Sequence, residues 1–395
     1  MANPEHVALV RKGAEAIAAW RKAHPKERLD LRDTQLHGAD LHRADLSGAD
    51  LTGAFLVGAQ LGEANLARAD LKWAHLTGAD LTRAKLPNAL LVLAGLIRAN
   101  LTDANLTKAD LANAQLEGTN LTRARLEGAD FSFASLFGAE LRDADMRNAN
   151  LTGANLSGAT LLGCRLSGAR MMLASLTGID LSEAEGLADV RHLGPSGVGV
   201  ETLVASFRGA GGQFTPELTS FFRGAGVAEE VLDALPEIVS DIKYFSCFIS
   251  YGQPNLRFAE KLREDLKRRG VDCWLYEKDK TVGERSGHEI VIERRGAEKM
   301  VVLCSAKALT RDRFLEEIED QINEDPNKMV PISLDDLWKE PGFRVMRGTR
   351  DLKPFLLDKN YADFANKPYE EALDELLKGL RRPGAKNTRQ SKKPS

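Results

Sequence analysis

Nowhere do the 395 residues contain the roughly 18 uninterrupted apolar side chains of a membrane-spanning helix. The opening stretch, Met1 to His6, also lacks the basic-then-apolar layout of a secretory signal, so the expected address is the cytoplasm, away from any membrane. Cysteine is scarce: Cys164, Cys247, Cys273 and Cys304 stand far apart without CxxC spacing. That argues against a zinc site and, in a reducing compartment, against disulfides; the four read as small buried hydrophobes and no metal is expected. Net charge is nearly absent as well. The 54 basic and 57 acidic residues leave −3, too balanced a sum to make nucleic acid the main partner. With a length too great for one core, the chain is expected to hold two or three domains.

What is present in excess is leucine at a fixed interval. Every fifth residue from Leu31 to Leu181 is Leu except Phe131, Met146 and Met171, and every fifth residue from Ala39 to Ala184 is Ala except Thr119, Cys164 and Ile179. A helix cannot use this period, because five residues at about 100° each scatter successive leucines around the cylinder. Two residues apart on an extended chain, Ala and Leu point the same way, and the three-residue step to the next Ala demands a corner. Each pentad is therefore a short straight piece and a bend, and the chain coils.

In runs such as Ala39-Asp40-Leu41, Ala44-Asp45-Leu46 and Ala149-Asn150-Leu151 the sequence resembles the pentapeptide-repeat family. That resemblance implies a right-handed, four-sided β-helix over residues 29–186, with four pentads per turn. At about 4.8 Å per stacked strand, nearly eight turns give a rod on the order of 37 Å tall. Open β-helix ends expose unpaired backbone and need caps. Residues 1–28 supply a helical pattern over 5–23, and residues 187–242 read as a small helical linker with helices at Val200 to Arg208, Pro216 to Arg223 and Ala228 to Val239. The twice-used Phe-Arg-Gly-Ala-Gly within it is read as helix C-caps rather than as an anion-binding loop. The rod's outward-facing large apolar residues gather on two adjoining sides, and one column reads Gly53, Trp73, Leu93, Asn113, Phe133, Gly153, Leu173. A stripe of this kind marks a contact, either with another rod or with this chain's own later segments.

From residue 244 apolar runs alternate with amphipathic stretches, the signature of βαβ units and a parallel sheet. Strands are expected at Phe245 to Ser250, Val271 to Leu275, Met300 to Cys304, Met329 to Ile332 and near Lys353 to Leu357. Helices are expected at Leu256 to Arg268, His288 to Arg295, Phe314 to Asn323 and Tyr369 to Leu380. Five strands fit a flavodoxin-like fold, whose ligand crevice lies beyond the strand ends between the first and third strands. Phe248-Ile249-Ser250-Tyr251, Gly270-Val271-Asp272-Cys273-Trp274, Val301-Val302-Leu303-Cys304-Ser305 and Phe314-Leu315-Glu316-Glu317-Ile318 together resemble a TIR (Toll/interleukin receptor) domain of the bacterial type over residues 243–382, followed by a disordered basic tail, 383–395.

Many TIR domains cleave NAD+ at the nicotinamide-ribose bond with one glutamate on the helix after the third strand, and the resemblance places Glu317 there. NAD+ is then a substrate, and no cofactor is implied. Nicotinamide leaves as a neutral molecule, while the ribose gains oxocarbenium charge that a carboxylate stabilises. The same resemblance points to Ser250, Tyr251, Gly252, Asp279, Gly283, Ser305 and Arg313 as substrate-binding positions, and to the 276–284 loop as the part that moves and mediates self-association between TIR domains. Trp274 reads as a core aromatic and His288 as solvated. Two departures stand out: Arg313 occupies a place where many bacterial relatives carry Trp, and Gly252-Gln253-Pro254-Asn255 lacks the Ser or Asp common after the first strand. The expected function is an NAD+ hydrolase whose rod serves assembly in bacterial stress or phage-defence signalling; the alternative is a non-enzymatic TIR adaptor. A third reading, DNA mimicry by the rod, is weak, since residues 31–185 hold 18 acidic and 14 basic side chains.

Overall fold

The computed structural model describes residues 2–241, 244–275, 297–358 and 362–381. Two compact units divide the chain, Met1–Pro236 and Glu237–Ser395.

The first unit is a four-sided rod. Residues 20 apart pair in parallel from Asp30↔Asp50 to Arg165↔Glu185, and the Leu and Ala columns fill the interior, with most members fully buried. One side shows the bonding. Leu51 N–H donates to Asp70 O at 2.7 Å, Gly53 N–H to Lys72 O at 2.8 Å, and Ala54 N–H closes the corner on Leu51 O at 2.9 Å. Where Asp or Asn precedes the leucine, it tightens the turn by accepting the backbone N–H two residues on, as Asp50 does from Thr52 at 3.2 Å and Asn100 from Thr102 at 3.2 Å. Interruptions of the Ala column are absorbed. Thr119 is fully buried and its hydroxyl donates to Leu96 O at 2.8 Å, while Cys164 packs as a small buried side chain.

From Asp33 to Gly178 the second residue of every corner turn lies in the left-handed region. Thirteen positions from Gly38 to Gly178 meet that demand with glycine, but others do not: Trp73, Leu93, Phe133 and Leu173 hold φ of 57°, 60°, 58° and 56°. A β-carbon in this conformation costs roughly 1 kcal/mol. Each corner of the rod therefore has its own chemistry. A second corner alternates charge from Arg43 through Glu63, Arg83, Asp103 and Arg123 to Asp143, with Arg43–Glu63 and Arg123–Asp103 ion pairs both at 2.8 Å.

Both rod ends are covered within this unit. The helical pattern over 5–23 is broken into α1 (Pro4–Val10) and α2 (Ala14–Ala23), because Gly13 at φ 87° turns the chain between them. Val10 and Ile17 are buried there, and Asn3 N–H reaches Asp30 O at 3.3 Å. At the far end the ladder runs on beyond residue 186: β1 (Arg170–Met171) pairs with β3 (Arg191–His192), and β2 (Ser175–Leu176) with β4 (Gly197–Val198). α3 (Val200–Gly209) then lays two hydroxyls one turn apart onto the open backbone. Thr202 donates to Leu176 O at 2.6 Å and accepts from Ile179 N–H at 3.2 Å, while Ser206 accepts from Leu181 N–H at 3.1 Å. α4 (Pro216–Gly224) and α5 (Glu229–Asp241) follow. The glycines after α3 and α4 act as caps, with Gly212 N–H on Phe207 O and Val227 N–H on Phe222 O, both at 2.9 Å.

The second unit is a five-stranded parallel sheet. Its strands are β5 (Cys247–Ser250), β6 (Cys273–Leu275), β7 (Lys299–Cys304), β8 (Met329–Ser333) and, beyond a small hairpin of β9 (Met346–Arg347) with β10 (Arg350–Asp351), β11 (Ala362–Asp363). The order β11-β8-β7-β5-β6 sets the first strand between the second and third. α6 (Leu256–Arg268) and α9 (Tyr369–Leu380) cover one face through Leu262, Leu266, Leu373 and Leu376; α7 (Asp312–Glu324) covers the other through Phe314, Leu315, Ile318 and Ile322. One expectation fails: Lys353–Leu357 is a short helix, α8, and the fifth strand is β11. Pro354 suits a first helical turn, and Leu352 and Leu356, four residues apart, are both buried. The helix expected at 288–295 lies outside the described residues. All four cysteines are buried free thiols. No helix among the described residues is long and apolar enough to cross a membrane.

Candidate active site

β5 and β7 are parallel neighbours, Ser250 at the end of β5 pairing with Val302 two residues before β7 ends, so the chain leaving each one borders the point where the winding reverses. On β5 side chains alternate between faces: Phe248 packs toward α7, whereas Cys247, Ile249 and Tyr251 join the core on the α6/α9 side. Ser250 accordingly faces α7. It is fully buried, and its hydroxyl donates to Oε2 of the half-buried Glu317 at 2.8 Å. The acidic run on α7 thereby divides by direction. Glu316 and Glu319 approach Arg347 at 3.7 and 3.8 Å, Glu319 also approaches Arg350 at 3.6 Å, and Glu317 alone of the three turns to the strand end.

The next residues hold the edges of the two strands together. A β-carbon on Gly252 would stand 2.7 Å from Ala308 Cβ, so only glycine lets the chain after β5 pass the turn after β7. Asn255, at the start of α6, does not cap its own helix; its Nδ2 donates to Ser305 Oγ at 2.9 Å. Ser305 Oγ also accepts from Ala308 N–H at 3.2 Å, and Asp335 accepts from Ala306 N–H at 3.0 Å. Burial pushes the neighbouring Cys304 thiol well up from its ordinary range, which removes it as a nucleophile. Among the described residues no cluster of three or more His, Cys, Asp or Glu is disposed to hold a metal ion.

The structure thus gathers Ser250, Gly252, Ser305 and Glu317. Tyr251 is not with them, since its ring is packed in the opposite core. Ser305 Oγ fixes the turn by accepting from Asn255 and from the Ala308 N–H, and neither bond uses its O–H proton. Arg313 stands in the first turn of α7, four residues before Glu317. Asp279, Gly283 and His288 lie outside the described residues. Trp274 is half-buried against the α7-side core. Asn255 and Asp335 went unrecognised in the sequence: an Asn before a helix reads as an ordinary N-cap, and nothing local links Asp335 to a turn 29 residues away.

Residues 247–377 match the TIR-domain family. Eight copies of the pentapeptide repeat match within residues 30–66, 54–91, 94–123, 114–153 and 149–185. No curated protein matches the chain. Among solved structures the chain is similar to HetL, a pentapeptide repeat protein involved in heterocyst differentiation regulation in the cyanobacterium Nostoc sp. strain PCC 7120; the two are 37% identical over 41% of this chain and 77% of that one, with a TM-score of 0.36. Rfr23, a pentapeptide repeat protein from the cyanobacterium Cyanothece 51142, is 30% identical over 30% of this chain and 87% of its own, at a TM-score of 0.20. QnrB1, a plasmid-mediated fluoroquinolone resistance protein, is 20% identical over 41% of this chain and 85% of its own, at 0.30.

Proposed function

Since the chain belongs to the pentapeptide-repeat family and carries a TIR domain in its C-terminal half, we propose that it is an NAD+ hydrolase whose rod serves assembly. One observation carries this reading: a single glutamate of an acidic helix is aimed at the carboxyl end of the first strand by a buried hydroxyl. In this reading the chain's own groups have separate tasks. Ser250 holds Glu317 in place. Glu317 faces the ribose as positive charge grows on it, and nicotinamide departs neutral without a proton donor. Gly252 supplies close backbone approach at the crevice, and Asn255 with Ser305 fixes its second wall. TIR domains commonly self-associate, so turnover is expected to rise faster than linearly with protein concentration. Consumption of NAD+ in the cytoplasm would disable the cell, which fits a role in stress or phage defence.

The test is nicotinamide release by purified protein at several concentrations. Glu317→Ala is expected to abolish it, at a stability cost of about 1–3 kcal/mol because the buried Ser250 hydroxyl loses its acceptor. Glu316→Ala should retain most of it, since Glu316 points to Arg347. Equal activity of Glu317→Ala and its parent would sink the assignment, and an inactive parent at every concentration would leave the adaptor reading in its place.

A further inference from the structure

Four bulky apolar residues occupy left-handed corner positions of the rod, all in one column, and stay 54% (Trp73), 47% (Leu93), 61% (Phe133) and 63% (Leu173) exposed. The corner tolerates glycine at no strain, so these side chains are doubly unfavourable in a free rod. The outward columns beside them, Thr52 to Met172 and Phe55 to Ser175, hold one Lys and no Arg, Asp or Glu; that residue, Lys72, is already paired with Asp70 at 3.3 Å. Charge depletion around apolar anchors is the composition of an interface centre.

We propose that this corner is the contact between two copies of the rod, packed antiparallel about a two-fold axis through Asn113. Read outward from Asn113, the column is complementary to itself: Leu93 faces Phe133, Trp73 faces Gly153 and Gly53 faces Leu173. Each outer pair sets a large side chain over a glycine that is itself overlain by the side chain 20 residues earlier, Phe133 over Gly153 and Asp33 over Gly53. A parallel pair would instead set Trp73 on Trp73 and Phe133 on Phe133, knob on knob. The Phe133 ring leans over Gly153, where an added β-carbon would lie 2.5 Å from it, so the partner's indole would meet an aromatic face. At the axis two Asn113 amides meet, each able to donate to and accept from the other. Along the side that runs from this corner through the Phe55 and Val57 columns, the seven coils from Gly53 to Leu173 offer roughly 340 Å² per copy, at about 4.8 Å per coil and about 10 Å per side, the size of a weak, concentration-dependent pair. The inference deepens the assembly role proposed for the rod and is independent of the chemistry of Glu317.

The experiment uses the full chain and a short bismaleimide cross-linker, with the parent as blank because its four cysteines are buried. Asn113→Cys is expected to link to itself. Leu93→Cys is expected to link only when mixed with Phe133→Cys. Failure of Asn113→Cys to link, or linking of Leu93→Cys to itself as in a parallel pair, overturns the proposal. Trp73→Gly combined with Phe133→Gly is expected to weaken rod association at least tenfold while the melting temperature holds or rises, since glycine relieves the strained corners. Unchanged association of that variant overturns the proposal, as does a monomeric parent whose stripe is shielded by another part of its own chain. Nicotinamide release is not read in any arm, so failure here is separate from failure of the enzymatic reading.

Discussion

His192 is the sharpest single lever on the first unit. Its ring sits edge-on to Phe221 of α4 with centroids 5.0 Å apart, and both ring nitrogens are shielded from solvent with no hydrogen-bond partner among the described residues. The fit depends on Gly224, where a β-carbon would come within 2.3 Å of the ring. Burial holds the imidazole below its ordinary pKa. As pH falls below about 6.5 the unfolded chain therefore takes up the proton first, and stability drops by up to about 1.4 kcal/mol per pH unit until the lowered folded value is reached. His192→Leu removes the orphaned nitrogens, each costing about 1–3 kcal/mol, and loses an aromatic edge contact of about 0.5–1.5 kcal/mol. The variant should be more stable by on the order of 1 kcal/mol at pH 7 and should gain further on its parent at pH 5.5. Thermal melts at both pH values, with amide-exchange protection of Leu218 to Phe222, measure this directly. A variant less stable than its parent at both pH values, or one that keeps the parent's acid sensitivity, refutes the reasoning.

Two further changes have defined outcomes. Gly252→Ala forces a contact at 2.7 Å with Ala308 and should cost about 1–3 kcal/mol; a melt unchanged from the parent would show that the two strand ends are less tightly joined. Arg123→Glu replaces the partner that holds Asp103 below the usual carboxylate range and extends one sign of charge along the alternating corner. The rod's melting temperature should fall at low ionic strength and recover most of the loss in about 0.5 M salt, and a loss independent of salt would point to packing instead.

The rod was legible because its cause is local. Leu at every fifth position and Ala two residues before it fix the corner, and the corner fixes the 20-residue repeat that brings Asp30 to Asp50 and Arg165 to Glu185. Helices α6 and α9 were equally plain, each bounded by its own apolar spacing. Lys353–Leu357 was not, since five mostly apolar residues satisfy a strand and a helix turn alike, and only Leu352 and Leu356 sharing a core decides for the helix. At the candidate site Glu317 stood out through the order of neighbouring segments, yet its bond to Ser250 joins residues 67 apart. A contact of that separation is set by which face of β5 is turned to α7, and sequence spacing shows the alternation without saying which face meets which helix.

The coil of the rod also works as an angular index. Inserting 20 residues lengthens it by one storey and leaves every corner chemistry where it was; deleting five turns everything downstream by a quarter revolution, so that the glycine-rich corner of Gly118, Gly138 and Gly158 continues under the apolar one. A pentad lost between Leu93 and Phe133 would keep the interior Leu and Ala ladders unbroken, and the fold with them, while carrying Phe133 and Leu173 to a different side from Trp73. Past residue 186 this index slips by itself, because Arg170 pairs 21 residues ahead with Arg191 and Ser175 pairs 22 ahead with Gly197. The columns lose their phase where α3 begins, which marks the last point at which a change in repeat number can shift one side of the rod against another.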